Sequence, residues 1–399
     1  MAEAPWLTIV GLGEDGPDGL PPASRSALEQ AEVIIGPPRH LGLLPASGAE
    51  RIDWPVPFAE GMPILLGLRG RRAVALVSGD PFWFGAGRVI AEALEPGEWR
   101  ALPGPSTFSL VASRLGWGLE RCTCLGLHAA PLTRLRPHLA PGQRLIVLLR
   151  DGSALVELAR YLTGLGFGAS LCHVFEALGG PREARTSRPA EALLTEVDFA
   201  HPVCAALELS EGAALPLTPG LPDAAFETDG QITKSPIRAL TLAALAPRAG
   251  ERLWDIGGGS GSVAIEWLRA HPACDAVSFE PRPDRAARIR ANALAHGVDR
   301  LRVIEGRAPE ALKAVPPPDA VFIGGGLSQD LLEVLRLTLS PGTRLVTNAV
   351  TLESEALLAA WQETLGGELL RIEVARAAPL GRKRGWKSAY PVVQWSVVL

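Results

Sequence analysis

The chain lacks the features that mark membrane-spanning, secreted or nucleic-acid-binding proteins. No apolar run approaches the roughly 18 uncharged residues that a membrane helix needs. The N-terminus, MAEAPWLTIV, is acidic and enters an apolar segment directly, without the basic start and apolar core of a secretory signal. The formal net charge of −4 gives no general basic surface that would recruit nucleic acid. These absences predict a cytoplasmic protein with neither a membrane nor a nucleic acid as a partner.

Cysteine is also scarce. The five cysteines are odd in number and scattered along the chain, which argues against a disulfide framework and favours a reducing compartment. The nearest approach to a metal-ligand cluster is Cys122, Cys124 and His128. A single C-x-C with one histidine lacks the second ligand pair that structural metal sites use. We therefore expect ordinary buried thiols here and no metal site.

The length of 399 residues, with 47% apolar and 21% charged residues, predicts two or three globular domains. Residues 211–230 are rich in proline, glycine and alanine without periodicity, and predict a linker. Residues 1–210 then form an α/β domain whose later part, from about residue 144, has more antiparallel character. In residues 231–399 strands alternate with helices, which predicts a parallel sheet that ends on two adjacent late strands.

One stretch organises the C-terminal domain. Residues 253–268, LWDIGGGSGSVAIEWL, predict a strand, a tight turn and a helix. The turn combines Asp255 with glycines that permit positive φ and a close approach of the backbone to a ligand. Glu280 ends the next predicted strand, where its carboxylate can accept two hydrogen bonds from a ribose diol. The cofactor-binding residues predicted here are Asp255, Gly257, Gly258, Gly259, Ser260, Gly261 and Glu280.

Two cofactors suit this arrangement, a dinucleotide and S-adenosylmethionine. Ser262 is small enough for a dinucleotide fingerprint, so the glycine spacing alone leaves both open. Asp255 favours S-adenosylmethionine, because a strand-end carboxylate repels the pyrophosphate of a dinucleotide and attracts the ammonium and sulfonium of a methionine moiety.

The C-terminal domain resembles class I S-adenosylmethionine-dependent methyltransferases, whose fold is Rossmann-like. Within that class, the segments ITK at 232–234, GRAP at 306–309 and FIGGG at 322–326 are similar to the decarboxylating precorrin methyltransferases of corrin synthesis. That family usually shows an acid near position 307, where this chain has arginine. The resemblance therefore implies cofactor contacts at Thr233 and at the backbone of Ala308.

Residues 1–210 are similar to the two-lobed tetrapyrrole methylase family of class III methyltransferases, in which the cofactor lies folded between the lobes. The matching segments are VGLG at 10–13, SGDP at 78–81, PGPS at 103–106 and LGGPRE at 178–183. The opening loop reads GLGEDG rather than the usual G-x-G-P-G, as the branch acting at corrin C5 does. The cofactor-binding residues implied are Gly11, Gly13, Gly79, Asp80, Pro81 and Ser106.

Together the resemblances imply a bifunctional methyltransferase of cobalamin biosynthesis with one S-adenosylmethionine per domain. The N-terminal domain would methylate C5 of a reduced tetrapyrrole, precorrin-6B. The C-terminal domain would methylate C15 and remove the carboxylate of the C12 acetate, giving precorrin-8X. A cobalt-containing precorrin is the alternative substrate. Each fold commonly associates with itself, which implies a homo-oligomer. A nucleic-acid base methyltransferase is the rival, although the IGGG strand end lacks the Asn/Asp-Pro-Pro-aromatic turn used for adenine.

Methyl transfer to a ring carbon that is already nucleophilic requires positioning, and no catalytic triad is visible. Decarboxylation requires a proton donor and a dry pocket, for which Lys234 and Asn348 are the candidates. A polycarboxylate substrate also requires local cations. The run GRKRGWKS at 381–388 is either a solvated loop or a clamp for such a substrate. The substrate-binding residues predicted are Arg238, Arg382, Lys383 and Arg384.

Overall fold

The structure of the chain is a computed structural model that describes residues 5–195 and 198–399. Residues 1–4 and 196–197 of the first predicted domain lie outside these ranges. Backbone contacts divide the chain into two units, one formed by Met1–Leu132 with His138–Ala214 and the other by Thr133–Pro137 with Leu215–Leu399. Among the described residues, no helix is long and apolar enough to cross a membrane.

The first sheet of the N-terminal unit is parallel throughout, with strand order β3-β2-β4-β1-β5. Helices follow its strands, so β1 and β2 are buried along their whole length and read as continuous apolar runs. The strands are β1 Leu7–Leu12, β2 Val33–Gly36, β3 Glu50–Asp53, β4 Ala73–Ser78 and β5 Trp99–Leu102. The helices are α1 Pro22–Glu29, α2 Pro38–Leu43, α3 Gly61–Leu66, α4 Gly87–Glu92 and α5 Thr107–Leu115.

The second sheet of this unit is mostly antiparallel, as the sequence predicts, with order β6-β7-β10-β8-β9 and a parallel pair only at β6 and β7. Its elements are β6 Cys122–Gly126, β7 Arg144–Leu148, α6 Gly152–Gly164, β8 Leu171–Glu176, β9 Ala184–Pro189 and β10 Val203–Glu208. Three strands of the unit were not predicted: β3, β6 and β9. They lack fully buried apolar runs, and β3 and β9 are edge strands with mostly exposed residues.

The C-terminal unit has a sheet of order β13-β12-β11-β14-β15-β19-β16, parallel except where β19 pairs with β15 and β16. Its elements before the sixth strand are α7 Ser235–Leu245, β11 Arg252–Ile256, α8 Ser262–Ala270, β12 Asp275–Glu280, α9 Pro283–Ala295, β13 Arg302–Glu305, β14 Ala320–Ile323, α10 Gln329–Thr338, β15 Arg344–Ala349 and α11 Leu352–Leu365. The later strands are β16 Glu368–Ile372, β17 Ala375–Leu380, β18 Lys383–Ser388 and β19 Val392–Val398. The doubly wound architecture predicted for this half is confirmed.

Short 3-10 helices complete the two units, at Gly16–Gly19, Phe58–Glu60, Leu119–Arg121, Leu132–His138, Ala190–Thr195, Asp223–Ala225 and Glu310–Ala314.

The segment predicted as a linker is only partly a connector. Leu221 and Phe226 are buried, at 1% and 5% exposure, in the same core cluster as strand β11 and helix α8. The Glu266 carboxylate on α8 accepts hydrogen bonds from the backbone N–H groups of Gly220 and Leu221, at 2.6 and 3.0 Å. The second half of residues 211–230 is therefore part of the C-terminal core, which its proline and glycine content concealed.

The basic run at 381–388 forms the turn and the second strand of a hairpin rather than a loop. Strands β17 and β18 pair with each other as a separate two-stranded sheet. Their residues are mostly exposed on both faces, so the alternation of apolar and polar residues that identifies a half-buried strand is absent.

Candidate functional site

A cavity of about 880 Å³ lies at the carboxyl ends of the C-terminal parallel strands. This is the edge of a doubly wound sheet at which ligands bind. The register of β11 against β14, which pairs Ile256 with Ile323, brings the loops after these two strands to the same place. The predicted site residues that line the cavity are Thr233, Lys234, Asp255, Gly257, Gly258, Gly259, Ser260, Glu280, Ala308 and Asn348.

The turn after β11 requires glycine. Gly257 has φ of +73°, and a Cβ atom there would lie 2.7 Å from the backbone of Gly325 in the loop after β14. Its N–H donates to the carbonyl of Phe279 on β12 at 2.9 Å. The turn is thereby fixed against both neighbouring strands, and backbone rather than side chain faces the cavity.

Asp255 is a buried acid in the wall of the cavity, with 1% exposure. Its Oδ2 accepts a hydrogen bond from Ser278 Oγ at 3.1 Å. Burial raises the pKa of Asp255 to about 7, the hydrogen bond from Ser278 opposes this rise, and the nearby charge of Glu280 adds to it. A carboxyl group in this state becomes ionised once a cation lies beside it, because the opposite charge lowers its pKa again.

Glu280 joins the end of β12 to the glycine turn. Its side chain is 3% exposed, Oε2 accepts from the N–H of Gly259 at 2.9 Å, and Oε1 accepts from the N–H of Arg282 at 3.1 Å. A carboxylate oxygen can accept more than one hydrogen bond. Both oxygens therefore retain acceptor capacity toward the cavity that Glu280 lines.

The two candidates for proton transfer have different surroundings. Lys234, directly before α7, has a side chain 58% exposed, and its Nζ lies 3.6 Å from Asp223 Oδ2. Asn348 on β15 is held in a polar network: its Nδ2 donates to Thr241 Oγ1 and its Oδ1 accepts from Gln394 Nε2, both at 2.9 Å. Lys234 keeps exposed N–H donors, whereas the Asn348 amide is fixed in orientation by two hydrogen bonds.

The structure corrects the prediction that Arg238 binds the substrate. Its side chain has no exposure, and Nε donates to Glu266 Oε1 at 2.6 Å. Its Nη1 donates to Asp223 Oδ1 and to the carbonyl group of Thr233, and its Nη2 donates to the carbonyl group of Leu221. The guanidinium holds the segment before α7 onto α8, and it does not line the cavity. Sequence spacing on α7 could not distinguish an inward cation from a surface one.

Arg382, Lys383 and Arg384 also do not line this cavity. Arg382 lies in the turn of the β17–β18 hairpin and the other two begin β18. All three side chains are exposed, and none makes an ion pair or hydrogen bond with another described residue. The hairpin thus presents unneutralised positive charge to solvent.

Several lining residues were not predicted as site residues, and they follow the strands next to β11. Ser328 and Asp330 lie at the start of α10, and residues 324–326 form the glycine strand end of β14. The FIGGG pattern itself was visible in the sequence. Its position directly after a strand that pairs with β11 is the signal that identifies it as cavity wall.

In the N-terminal unit, the predicted strand-end loops converge. A Cβ atom on Gly11 would lie 1.8 Å from the carbonyl oxygen of Gly79 and 2.6 Å from the N atom of Gly104. The N–H of Gly104 donates to that same Gly79 carbonyl at 3.0 Å, and the N–H of Gly79 donates to the carbonyl group of Leu12 at 3.1 Å. The loops after β1, β4 and β5 are therefore in backbone contact, which only glycine at position 11 allows.

The other predicted residues of this unit shape the same loops. Asp80 Oδ1 accepts from the N–H of Phe82 at 2.9 Å, and the carbonyl of Pro81 accepts from the N–H of Gly87 at 2.9 Å. Ser106 is 6% exposed and caps α5, accepting from the N–H of Ser109 at 3.0 Å. Gly13 lies in the turn that follows β1.

The five cysteines are unpaired thiols. Cys122 and Cys124, on β6, are half-buried rather than buried as expected, and burial raises the pKa of each. In the described parts of the chain, no group of three or more His, Cys, Asp or Glu residues is arranged to hold a metal ion.

Known proteins resemble the chain along nearly its whole length. A protein of Sinorhizobium sp named precorrin-6Y C(5,15)-methyltransferase [decarboxylating] is 48% identical over 399 residues, which cover 98% of this chain and 96% of the relative. A protein of the same name from Mycobacterium tuberculosis (strain ATCC 25618 / H37Rv) is 42% identical over 401 residues, covering 98% and 99%. The chain belongs to the precorrin-6Y C5,15-methyltransferase (decarboxylating) family.

Both halves match within this family. Residues 6–194 match the family described as Tetrapyrrole (Corrin/Porphyrin) Methylases, and residues 224–399 match that described as Precorrin methyltransferase domain. The crystal structure of the C-terminal domain of precorrin-6Y C5,15-methyltransferase from Rhodobacter capsulatus is 56% identical to the matched part. The match covers 46% of this chain and 100% of the crystallised domain, with a TM-score of 0.45. The two family models and the full-length relatives confirm the family resemblances drawn from the sequence for both halves.

The C-terminal cavity fits S-adenosylmethionine, the methyl donor that membership of this family implies. Its volume lies within the range of about 300–1,000 Å³ typical of ligand pockets. Asp255 offers a buried carboxyl group to the ammonium or sulfonium, and Glu280 offers acceptor oxygens to hydroxyl groups. The Gly257 turn allows close approach of the ligand to the backbone.

Proposed function

We propose that the chain methylates a precorrin at C5 and C15 and removes the carboxylate of its C12 acetate, as a step of cobalamin biosynthesis. The observation that carries this proposal is identity of 42–48% over 98% of the chain to proteins named precorrin-6Y C(5,15)-methyltransferase [decarboxylating]. The cavity supports it, because a buried acid beside a glycine turn suits a positively charged methyl donor. The proposed substrate is precorrin-6B and the proposed product is precorrin-8X.

The test is a reaction of the full chain with precorrin-6B and S-adenosylmethionine labelled in its methyl group. Mass spectrometry should find two labelled methyl groups in the tetrapyrrole and the loss of one carbon dioxide. A parallel reaction with the cobalt complex of the substrate determines which form is used. Absence of label from both tetrapyrroles would contradict the proposal, as would transfer of the label to total RNA instead.

In the C-terminal unit we assign the cofactor to the cavity after β11. Bound S-adenosylmethionine would supply an electrophilic methyl group for attack by the ring carbon. Asp255 binds its positive charge, Glu280 orients the ribose, and the glycine turn excludes water from one side of the ligand. The residues assigned to cofactor binding are Thr233, Asp255, Gly257, Gly258, Gly259, Ser260, Gly261, Glu280 and Ala308.

A second cofactor molecule is assigned to the N-terminal unit, where the loops after β1, β4 and β5 meet. The support is the backbone contact among Gly11, Gly79 and Gly104, which brings the three loops together at the carboxyl ends of parallel strands, the edge of such a sheet at which ligands bind. The residues assigned to it are Gly11, Gly13, Gly79, Asp80, Pro81 and Ser106. Stoichiometric titration with S-adenosylhomocysteine tests whether each unit holds one molecule.

Lys234 is assigned as the proton donor for decarboxylation. It lines the cavity, its side chain is 58% exposed, and its ammonium has one partner in the described part of the chain, Asp223, at 3.6 Å. Asn348 is assigned a positioning role, because its amide is fixed by two hydrogen bonds. Lys234→Met should abolish release of carbon dioxide while C5 methylation continues, and Asn348→Ala should lower both C-terminal reactions. Undiminished carbon dioxide release by Lys234→Met would contradict the assignment.

Arg382, Lys383 and Arg384 are assigned to carboxylates of the substrate. Their support is exposure without an ion-pair partner among the described residues, together with the many carboxylates of a precorrin.

We also propose a cytoplasmic location, consistent with five unpaired cysteines, and a homo-oligomer, consistent with the exposed apolar side chains of Leu380 and Trp386. Cell fractionation and light scattering test these two proposals.

A further inference from the structure

A buried acid in the N-terminal unit lies between two arginines beside the converging loops. Glu14 follows β1, and its side chain is 7% exposed. Arg39, at the start of α2, forms an ion pair with Oε1 of Glu14. Arg182, in the loop between β8 and β9, has Nη2 3.5 Å from Oε2. None of these three side chains is used by the proposed cofactor contacts.

Arg39 is fixed in place by the end of β4. Its Nη2 lies 2.9 Å from His40 Nε2 and 3.2 Å from Ser78 Oγ, and Ser78 Oγ in turn lies 3.2 Å from His40 Nε2. Burial, with the charge of Arg39, lowers the pKa of His40 to about 3, so this imidazole is neutral near pH 7. The cluster therefore holds two cations and one anion, a local charge of +1.

The loop that carries Arg182 is held in place by its neighbour. Glu183 accepts two hydrogen bonds from Arg114 on α5, at 2.7 and 2.9 Å, and one from the N–H of Gly179 at 2.8 Å. A Cβ atom on Gly180 would lie 2.6 Å from Glu14 Cβ, so the loop packs directly over the acid. Arg182 is thus presented from a fixed backbone, although its own side chain is 63% exposed.

We infer that Arg39 and Arg182 form a carboxylate-binding site for an acidic side chain of the tetrapyrrole substrate in the N-terminal unit, an inference that rests on the proposed function. Arg39 supplies a fixed positive charge. Within the described residues the side chain of Arg182 makes one long contact, with Glu14, and its other N–H donors are available to a ligand. The site lies at the carboxyl ends of β1 and β4, where Leu12 pairs with Ser78. This is the ligand-binding edge of a parallel sheet.

The alternative is that the cluster of Glu14, Arg39 and Arg182 only stabilises the fold, which would not explain the presence of Arg182. One buried carboxylate is already paired by Arg39, and an additional exposed arginine at 3.5 Å adds little stability. The loop after β4 also carries exposed aromatic rings: Phe82, Trp83 and Phe84 are 47%, 36% and 47% exposed. They follow the strand end at which Ser78 Oγ lies 3.2 Å from Arg39 Nη2. Exposed aromatic rings on this loop suit a conjugated ring that carries carboxylates.

The test is the dependence of C5 methylation on precorrin-6B concentration, measured with the full chain. Arg182→Gln removes one exposed charge and should raise KM for the tetrapyrrole about three- to tenfold. The kcat for C5 methylation and the KM for S-adenosylmethionine should not change. Arg182→Lys keeps the charge and should retain a KM nearer to that of the unaltered chain. The matched control is Arg88→Gln, an arginine 68% exposed in the same unit and paired with Glu92.

Two results would overturn the inference. A tetrapyrrole KM for Arg182→Gln equal to that of Arg88→Gln would leave the cluster a structural one. An increase in KM for S-adenosylmethionine alone would assign the arginine to the carboxylate of the cofactor. Failure of the proposed function gives a different result, because the unaltered chain would then transfer no methyl group to C5 at any substrate concentration.

Discussion

Asp255→Asn should stabilise the chain in the absence of cofactor. Folding raises the pKa of this carboxyl group from 3.8 to about 7 by burial. An acid of this kind binds a proton in the folded state, so its contribution to stability is present in full below pH 3.8 and is lost as the pH rises to about 7. Asparagine has nearly the same size and can accept the hydrogen bond from Ser278, but it carries no charge at any pH.

The magnitude follows from the pKa difference. About three pKa units, at about 1.4 kcal/mol each, correspond to about 4 kcal/mol. Between pH 5 and pH 8 the contribution of Asp255 to the free energy of unfolding falls by the equivalent of roughly two pKa units, or about 3 kcal/mol. The variant shows no such fall because asparagine does not titrate. For a unit of this size, each kcal/mol shifts Tm by about 2–4 °C. The advantage of the variant in Tm should therefore grow by about 6–12 °C from pH 5 to pH 8.

The assay is thermal unfolding of both proteins without cofactor at pH 5 and pH 8. Asp284→Asn is the control, because Asp284 is an exposed acid on α9 paired with Arg282. Its Tm difference from the unaltered chain should change little between the two pH values. An advantage of Asp255→Asn that is equal at both pH values would refute the reasoning, and so would a variant less stable than the unaltered chain at pH 8.

The same group predicts the pH dependence of cofactor binding. Protonation of Asp255 as the pH falls through about 7 removes the charge that attracts the cofactor, so affinity at the C-terminal site should decrease below pH 7. Asp255→Asn should bind more weakly at pH 8 and show no such decrease. Calorimetric titration with S-adenosylmethionine at a series of pH values measures both effects, and a pH-independent affinity in the unaltered chain contradicts the assignment.

Two further predictions concern cations of the C-terminal unit. Arg238→Met leaves Glu266 buried without its cation and should lower the free energy of unfolding by about 3–5 kcal/mol, whereas Arg248→Ala, at an exposed pair, should lower it by less than about 1 kcal/mol. Chemical denaturation measures both, and equal losses would contradict the structural role of Arg238. The double variant Lys383→Glu with Arg384→Glu should raise KM for the tetrapyrrole with little change for S-adenosylmethionine, and unchanged steady-state kinetics would remove the hairpin from substrate binding.

The C-terminal cavity could be anticipated from sequence because its determinants are local. Asp255 and the glycines lie within seven residues of one another, and Glu280 ends the next strand, so the predicted order of strand, turn, helix and parallel strand already brings them together. The loops of Gly11 and Gly79 were predictable for the same reason, since parallel strands present their carboxyl ends on one side.

The remaining features depend on contacts that are distant in sequence. Arg238 resembles a surface cation on α7 until its partner Glu266, 28 residues away, is known. The association of Glu14 with Arg182 joins residues far apart in the chain and has no local signal. The β17–β18 hairpin lacks a buried face, so no hydrophobic period marks it. The roles of these residues follow from their burial and their contacts in the folded chain, which their spacing in the sequence does not show.

The most direct test of two methyl-donor sites in one chain is isothermal titration of the full protein with S-adenosylhomocysteine at pH 8. The account predicts two equivalents bound per chain and the weakening of one of them by Asp255→Asn. Binding of no ligand or of a single equivalent would contradict it, as would displacement of the ligand from the C-terminal unit by NADH.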